Sequence, residues 1–350
     1  MRSTIIGVLF VALVALGVRY RVDVKSESEP VGSTSVVRGV ALGLFASDSE
    51  WDYGPMVDEI RARGATDVLV VVNAYQSDRF ASDISTKPGR SPSEATIVRT
   101  LSQARAAGLR TALMPVVRLE SRTKYEWRGV IAPADGLDVW FDSYRAWVLP
   151  LAEIAHDQQV QRFVVGSELG SLEHYDGRWR ELIAEVRSRF EGTVTYSANW
   201  DRAGEVPFWD AVDEVGLTAY FPVGDALSPD DLARAWESPS AAIEELAVRT
   251  KRPVLVTEVG YASRRHSGER PWDDASDAEV DLEGQRRLYR GFCDAFARTS
   301  SLSGFYVWNW FGVGGPRDRG YTPRGKPAAS ELSKCFVREW PARSVSGSRS

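Results

Sequence analysis

Residues 162–170 read Arg-Phe-Val-Val-Gly-Ser-Glu-Leu-Gly. A short apolar run, 163–165, meets a glycine and then delivers Glu168. Ninety residues later the arrangement returns: 253–260 read PVLVTEVG and deliver Glu258. A carboxylate at the end of an apolar strand is costly to bury unless it is paired or used. Two of them, each leaving a different strand, predict a carboxylate pair facing one cleft.

Working outward, further apolar runs lie at 37–45, 67–73, 110–117, 193–199, 214–220 and 304–308. With 162–168 and 253–258 they make eight strands. Their near-continuous Val, Leu, Ile and Phe content is that of strands covered on both faces. Helical periodicity fills the intervals at 52–63, 92–107, 137–155, 178–190, 228–249 and 278–299. A short helix at 206–212 and a last one at 328–336 complete the set. Pro150 and Pro239 are expected to kink or split two of these helices. Ser91-Pro92 followed by Glu94 reads as an N-cap, a prolyl first turn and a capping box, and Ser228-Pro229 as a second helix start.

Strands alternating with helices in this number predict an α/β fold, a single-domain (β/α)8 barrel with parallel strands. Connection lengths agree. Helix-to-strand links are short (64–66, 108–109, 191–192, 250–252), and strand-to-helix links are long (74–91, 118–136, 261–277, 312–327). In such a barrel the long loops share one rim, and that rim carries the active site. A doubly wound open sheet would want a glycine-rich phosphate turn after its first strand. Residues 46–49 are Ala-Ser-Asp-Ser instead.

Composition bounds the function. At 43% hydrophobic and 26% charged, the 350 residues have ample material for a core. A net charge of −5 with no basic stripe gives no reason to expect nucleic acid. His156, His174 and His266 are scattered, so no metal site is expected, and no organic cofactor is implied. Cys293 and Cys335 either pair in an oxidising compartment or stay as two buried thiols. Residues 5–18 form an apolar run behind Arg2, short for a membrane span. Residues 1–22 therefore read as a secretory signal or an uncleaved membrane anchor, with a buried helix as the third possibility. Residues 23–36 read as a linker, 37–340 as the catalytic domain and 341–350 as a flexible tail. The body of the protein is expected outside the cytoplasm: secreted, periplasmic or tethered.

The strand exits carry the chemistry. Two carboxyls about 5–5.5 Å apart serve retaining glycoside hydrolysis, one as acid/base and one as nucleophile. The competing reading has each glutamate holding a loop through an arginine. The fifth strand leaves through Ser197-Ala198-Asn199-Trp200-Asp201, the sixth through Ala219-Tyr220-Phe221-Pro222, and the eighth through Tyr306-Val307-Trp308-Asn309-Trp310. Rings of this kind stack on sugar faces while Asn, Arg and Tyr bond hydroxyls. They serve equally as barrel packing. Asp201 and Glu120 also stand just past strands, where a loop salt bridge is the expected role. Glu126 and Asp135, in a loop, are weaker candidates.

Taken in order, GSELG (166–170), YSANWD (196–201), LTAYFP (217–222), TEVGY (257–261) and VWNW (307–310) resemble glycoside hydrolase family 113 of clan A. The loop EWRGVIAP (126–133) adds to the likeness. The described members of that family are β-mannanases. The resemblance implies Glu168 as acid/base, Glu258 as nucleophile and Tyr220 as hydrogen-bond partner of the nucleophile. It implies Asn199, Trp200 and Trp308 around the cleaved sugar, Trp127 and Arg128 in a substrate loop, and Arg118 and Asn73 as polar residues at the third and second strand exits. Much of clan A has Asn directly before the acid/base, where it binds the sugar 2-hydroxyl. This chain has Ser167, which leaves the sugar open. The expectation is a retaining endo-β-glycosidase on an oligo- or polysaccharide, first of all β-1,4-mannan or glucomannan. Another β-glycan (peptidoglycan or an exopolysaccharide) and a non-catalytic glycan-binding barrel are the alternatives.

Overall fold

The computed structural model describes residues 36–124, 126–225 and 228–340. Eight parallel strands close on themselves in chain order: β1 Val37–Gly43, β2 Asp67–Gln76, β3 Arg110–Leu119, β4 Arg162–Ser167, β5 Thr193–Asn199, β6 Glu214–Thr218, β7 Val254–Val259 and β8 Leu302–Val307. Closure is made by β1 against β8, with Val37 opposite Gly304. The longest ladder is β2 with β3, from Asp67 opposite Arg110 to Gln76 opposite Leu119. Both strands run past their expected ends, so their exits stand higher at the rim. The helices are α1 Gly54–Ala62, α2 Glu94–Ala106, α3 Leu137–Asp157, α4 Asp176–Arg187, α5 Pro229–Ala235, α6 Glu237–Thr250, α7 Leu282–Arg298 and α8 Pro327–Val337.

Local chemistry moves several boundaries. The cap of α2 is Ser93, not Ser91: Ser93 Oγ accepts from the Thr96 amide at 3.1 Å, while Ser91 Oγ accepts from Lys87. Ser228 caps α5 as expected, accepting from the Asp231 amide. The expected 228–249 helix breaks at Trp236, because Pro239 has no N–H for the Ala235 carbonyl. Pro150 does not break α3, which buries Trp140, Phe141, Tyr144 and Val148 before it and Leu151 after it. That packing outweighs one lost hydrogen bond. The expected helix at 206–212 is instead two 3-10 turns, Ala203–Glu205 and Trp209–Ala211. Helix α7 starts late, at Leu282, where Asp281 Oδ1 accepts from the Gly284 amide at 2.7 Å.

Two cores result. Inside the barrel, Ala41, Leu69, Val71, Met114, Val164 and Leu255 pack with Tyr306, and Phe45 and Trp308 lie against them, partly buried. Outside, a larger cluster joins the other face of every strand to the helices. The entry end of the barrel is polar: Arg162 pairs with Glu214, and Arg110 with Asp67 at 2.7 Å. Cys293 and Cys335 form a disulfide joining α7 to α8. Among the described residues no helix is long and apolar enough to cross a membrane. The apolar run at 5–18, the linker through residue 35 and the tail from 341 lie outside the described residues.

Candidate active site

Glu168 is the first residue past β4, and its φ of +53° puts a non-glycine residue in the left-handed region. The surroundings hold it there. Its amide donates to the Ser197 carbonyl at 2.8 Å. The next amide, Leu169, donates to Tyr196 Oη at 2.9 Å, and that hydroxyl donates to Glu173 Oε1 at 2.8 Å. The residue is almost fully buried, at 6% exposure, and both carboxylate oxygens accept hydrogen bonds. Arg128 Nη2 donates to Oε2 at 2.5 Å, and Thr218 Oγ1 donates to Oε1 at 2.6 Å. Arg128 also donates through Nε to the Ser167 carbonyl at 3.1 Å.

Glu258 lies within β7 at 2% exposure. Its Oε2 accepts from Tyr220 Oη at 2.9 Å, and its Oε1 has no partner. Behind it Thr257 and Ser197 hydroxyls meet at 2.6 Å across the interior, between β7 and β5. Burial pushes the Glu258 carboxyl well above the usual carboxylate range, and the negative charge of Glu168 adds to the shift. Arg128 and the Tyr220 hydrogen bond oppose it. The two glutamates thus share one electrostatic site. Burial, then the charge of Glu258, holds the Tyr220 hydroxyl protonated as a donor.

The other expected residues distribute as follows. Ser167 is buried and its Oγ has no partner. Asn73 donates to the Arg90 carbonyl at 3.0 Å, leaving its Oδ1 buried and unpaired. The Arg118 guanidinium lies over the Phe45 ring at 4.8 Å, and Phe45 tilts against Trp308 at 6.2 Å. Asn199 and Trp200 are half-buried at the exit of β5. Trp127 is half-buried, with the Arg128 guanidinium 5.8 Å from its ring centre. Glu120 has the expected loop role, paired with Arg90 at 2.7 Å and Lys87 at 3.4 Å. Glu126 pairs with Arg79, and Asp201 is exposed.

Several participants escape sequence reasoning. Thr218 stands two residues before Tyr220, and the period-two alternation of a strand exit is the signal that would have found it. Trp272, half exposed in the long loop after β7, stacks on Trp200 at 6.3 Å, and Trp200 packs on Phe221 at 5.1 Å. Tyr321 meets the Tyr220 ring at 6.3 Å. Glu173 and Tyr196 carry no motif. His266, read as isolated, lies with Asp225 and Glu269 in a partly exposed group. It bonds Asp225 Oδ2 at 3.1 Å, and Asp225 Oδ1 accepts from the Gly268 amide.

A closed parallel (β/α)8 barrel that buries two carboxylates at the exits of its fourth and seventh strands defines a glycoside hydrolase. The chain belongs to Glycoside Hydrolase Family 113, whose profile it matches over residues 45–320. Solved structures agree. The β-mannanase AaManA of that family from Alicyclobacillus acidocaldarius, in complex with ManMIm, is 27% identical with a TM-score of 0.78, covering 86% of this chain and 97% of its own. A family 113 β-1,4-mannanase solved as a complex shares the fold at 24% identity and TM-score 0.79, covering 87% and 100%. A GH5_18 enzyme from Streptomyces cattleya, in complex with GlcNAc, shares it more distantly, at 14% identity and TM-score 0.58, covering 89% and 83%. No curated protein matches the chain.

Proposed function

We propose that the protein is a retaining endo-β-1,4-mannanase acting on mannan or glucomannan. The observation that carries the reading is the Glu168–Glu258 pair, two buried carboxyls in one electrostatic site with different partners. Glu258 attacks the anomeric carbon as the bond to the leaving oxygen breaks, and Glu168 gives that oxygen its proton. In the second half Glu168 takes a proton from water, the water oxygen attacks the anomeric carbon, and Glu258 leaves. Tyr220 steadies the nucleophile by donating to Oε2.

The unpaired polar atoms support a polyhydroxylated ligand. Glu258 Oε1, Ser167 Oγ and Asn73 Oδ1 are buried near the strand exits without partners, which is costly unless a ligand or water supplies them. Trp308 and Trp200 offer apolar faces, and Trp127 lies beside Arg128 on the loop. Mannan is favoured by the family and by the named activity of its solved members. A site outside the cytoplasm, secreted or tethered, is supported by the Cys293–Cys335 disulfide and the apolar run at 5–18.

The test is Glu258→Ala and the wild type, assayed on mannan, glucomannan, cellulose, xylan and peptidoglycan. The wild type is expected to cleave mannan or glucomannan with a first product of retained anomeric configuration by NMR. The variant is expected to lose at least about a thousandfold, the scale set by removing a covalent catalytic group. An inverted product, or wild-type turnover by the variant, would reject the mechanism. Turnover on peptidoglycan alone would move the substrate.

A further inference from the structure

Tyr321 stands in the long loop between β8 and α8, and its ring lies against two neighbours of Glu258. One is Tyr220, whose hydroxyl donates to Glu258 Oε2 at 2.9 Å. The two rings meet edge to face, 6.3 Å between centres and 68° between planes, a favourable aromatic geometry. The other neighbour is Gly260, two residues past Glu258 at the exit of β7. A Cβ on Gly260 would stand 2.8 Å from the Trp308 carbonyl oxygen and 3.0 Å from Tyr321 Cδ1. The bare glycine is what lets the Tyr321 ring lie against this strand exit.

Buried polar groups fix the ring and the chain that carries it. Tyr321 Oη donates to the Pro271 carbonyl at 2.6 Å. Gln285 Nε2 donates to the Tyr321 carbonyl at 3.1 Å and to the Tyr261 carbonyl at 2.8 Å. The Lys326 side chain is fully buried, and its ammonium donates to Ser263 Oγ at 2.8 Å, to the Gly320 carbonyl at 2.9 Å and to Asp318 Oδ1 at 3.0 Å. An ammonium has three protons, and each has an acceptor here. The Ser263 amide also donates to the Gly320 carbonyl at 3.2 Å. Gln285 and Lys326 therefore sew residues 261–263, just past the nucleophile's strand, to residues 318–321. A buried charge is kept only with such a full set of partners, and the hydrolysis has no use for this cation.

We propose that Tyr321 is a positioning residue for the nucleophile: its ring, held by Gln285 and Lys326, keeps Tyr220 where its hydroxyl reaches Glu258 Oε2. The Tyr321 hydroxyl gives its proton to Pro271, so the residue acts through Tyr220 and not on the sugar. A ring contact of this kind adds no charge to the site. What it supplies is placement, and a reacting group misplaced by about 1 Å can lose about a hundredfold in rate. The inference rests on the glycosidase reading above.

The experiment compares wild type, Tyr321→Leu, Tyr321→Phe, Tyr220→Phe and the double variant Tyr220→Phe with Tyr321→Leu. Kinetics are measured on para-nitrophenyl β-mannobioside and on mannan, and the crystal structure of Tyr321→Leu is solved. Tyr321→Leu should lower kcat and kcat/KM together by roughly ten- to a hundredfold with KM unchanged, the pattern of an interaction made in the transition state. Tyr321→Phe keeps the ring and should recover most of that loss. On the Tyr220→Phe background, Tyr321→Leu should cost no more than about twofold further, because the hydrogen bond it positions is already gone. Losses that multiply, a rise in KM alone, or wild-type kcat in Tyr321→Leu would overturn the assignment. If Tyr321→Leu does not fold, Tyr321→Met makes the same comparison. In the variant crystal, Tyr220 Oη should stand beyond hydrogen-bond reach of Glu258 Oε2, more than about 3.5 Å away. That displacement without turnover of any glycan by the wild type would retain the positioning and reject the glycosidase reading. Turnover by the wild type with Tyr220 undisplaced in the variant would do the reverse.

Discussion

Glu173 shows at the scale of one residue what the pocket behind Glu168 demands. It is buried, accepts from Tyr196 through Oε1, and has no hydrogen-bond donor on Oε2, where Arg202 Nε stands 3.9 Å away. Burial, reinforced by the charges of Glu168 and Glu205, pushes its carboxyl from 4.5 up to about 7, against the Tyr196 hydrogen bond and Arg202. A carboxyl raised on folding favours the folded state while it is protonated in both states. That contribution is complete below pH 4.5 and disappears as the pH climbs through 7. Glu173→Gln keeps an acceptor for Tyr196 and removes the titration. Relative to this variant, the wild type should lose up to about 3 kcal/mol of unfolding free energy between pH 4.5 and 8, at 1.36 kcal/mol per unit. Urea unfolding at several pH values measures it, and parallel pH curves for the two proteins would refute the assignment.

Elements explain what was and was not legible. The strands were readable because a strand covered on both faces must be apolar almost throughout; in β4 and β7 the apolar run gives way to a glutamate at the exit, one residue past β4 and one before the end of β7. Of the candidate site, Glu168, Glu258 and Tyr220 were legible as strand-exit residues, and Arg128 through the loop string at 126–133. Thr218, Tyr196 and Glu173 were not, since their roles arise from contacts between strands and loops distant in sequence. Trp272 was hidden in a loop with no periodicity to betray which side it faces. The start of α2 was misread at Ser91 because a second serine stands two residues on, and the hydrogen bond from the Thr96 amide falls on Ser93. Strand β6 carries a tight constraint of its own. A Cβ on Gly216 would run into the Tyr196 carbonyl of β5, a backbone atom that cannot swing aside. Gly216→Ala should lower stability by about 1–3 kcal/mol, the usual cost of overpacking, and lower the denaturation midpoint. An unchanged midpoint would mean that β5 and β6 separate more readily than their register suggests.

For the molecule as a whole, the disulfide bears on how the chain's end is retained. Cys293 and Cys335 close a loop with a sequence separation of 42 that contains β8, the strand that completes the barrel against β1. On the chain-entropy account such a link is worth up to about 4 kcal/mol. Cys293→Ser with Cys335→Ser, or reduction of the wild type, should lower stability by a sizeable part of that while sparing the cleft, as guanidinium unfolding beside an activity assay would reveal. Equal stability with and without the link would mean that α8 packing alone secures the end. The barrel wall has a different consequence. Its backbone separates an inner core, topped by Phe45 and Trp308 beneath the cleft, from an outer core shared with the helices. Energetic effects at well-separated sites without shared partners add nearly independently. The wall therefore partitions two design spaces: positions deep in the helical coat and positions deep in the inner plug can be varied nearly independently, while neighbours that alternate along one strand, such as Val70 and Val71, stay coupled.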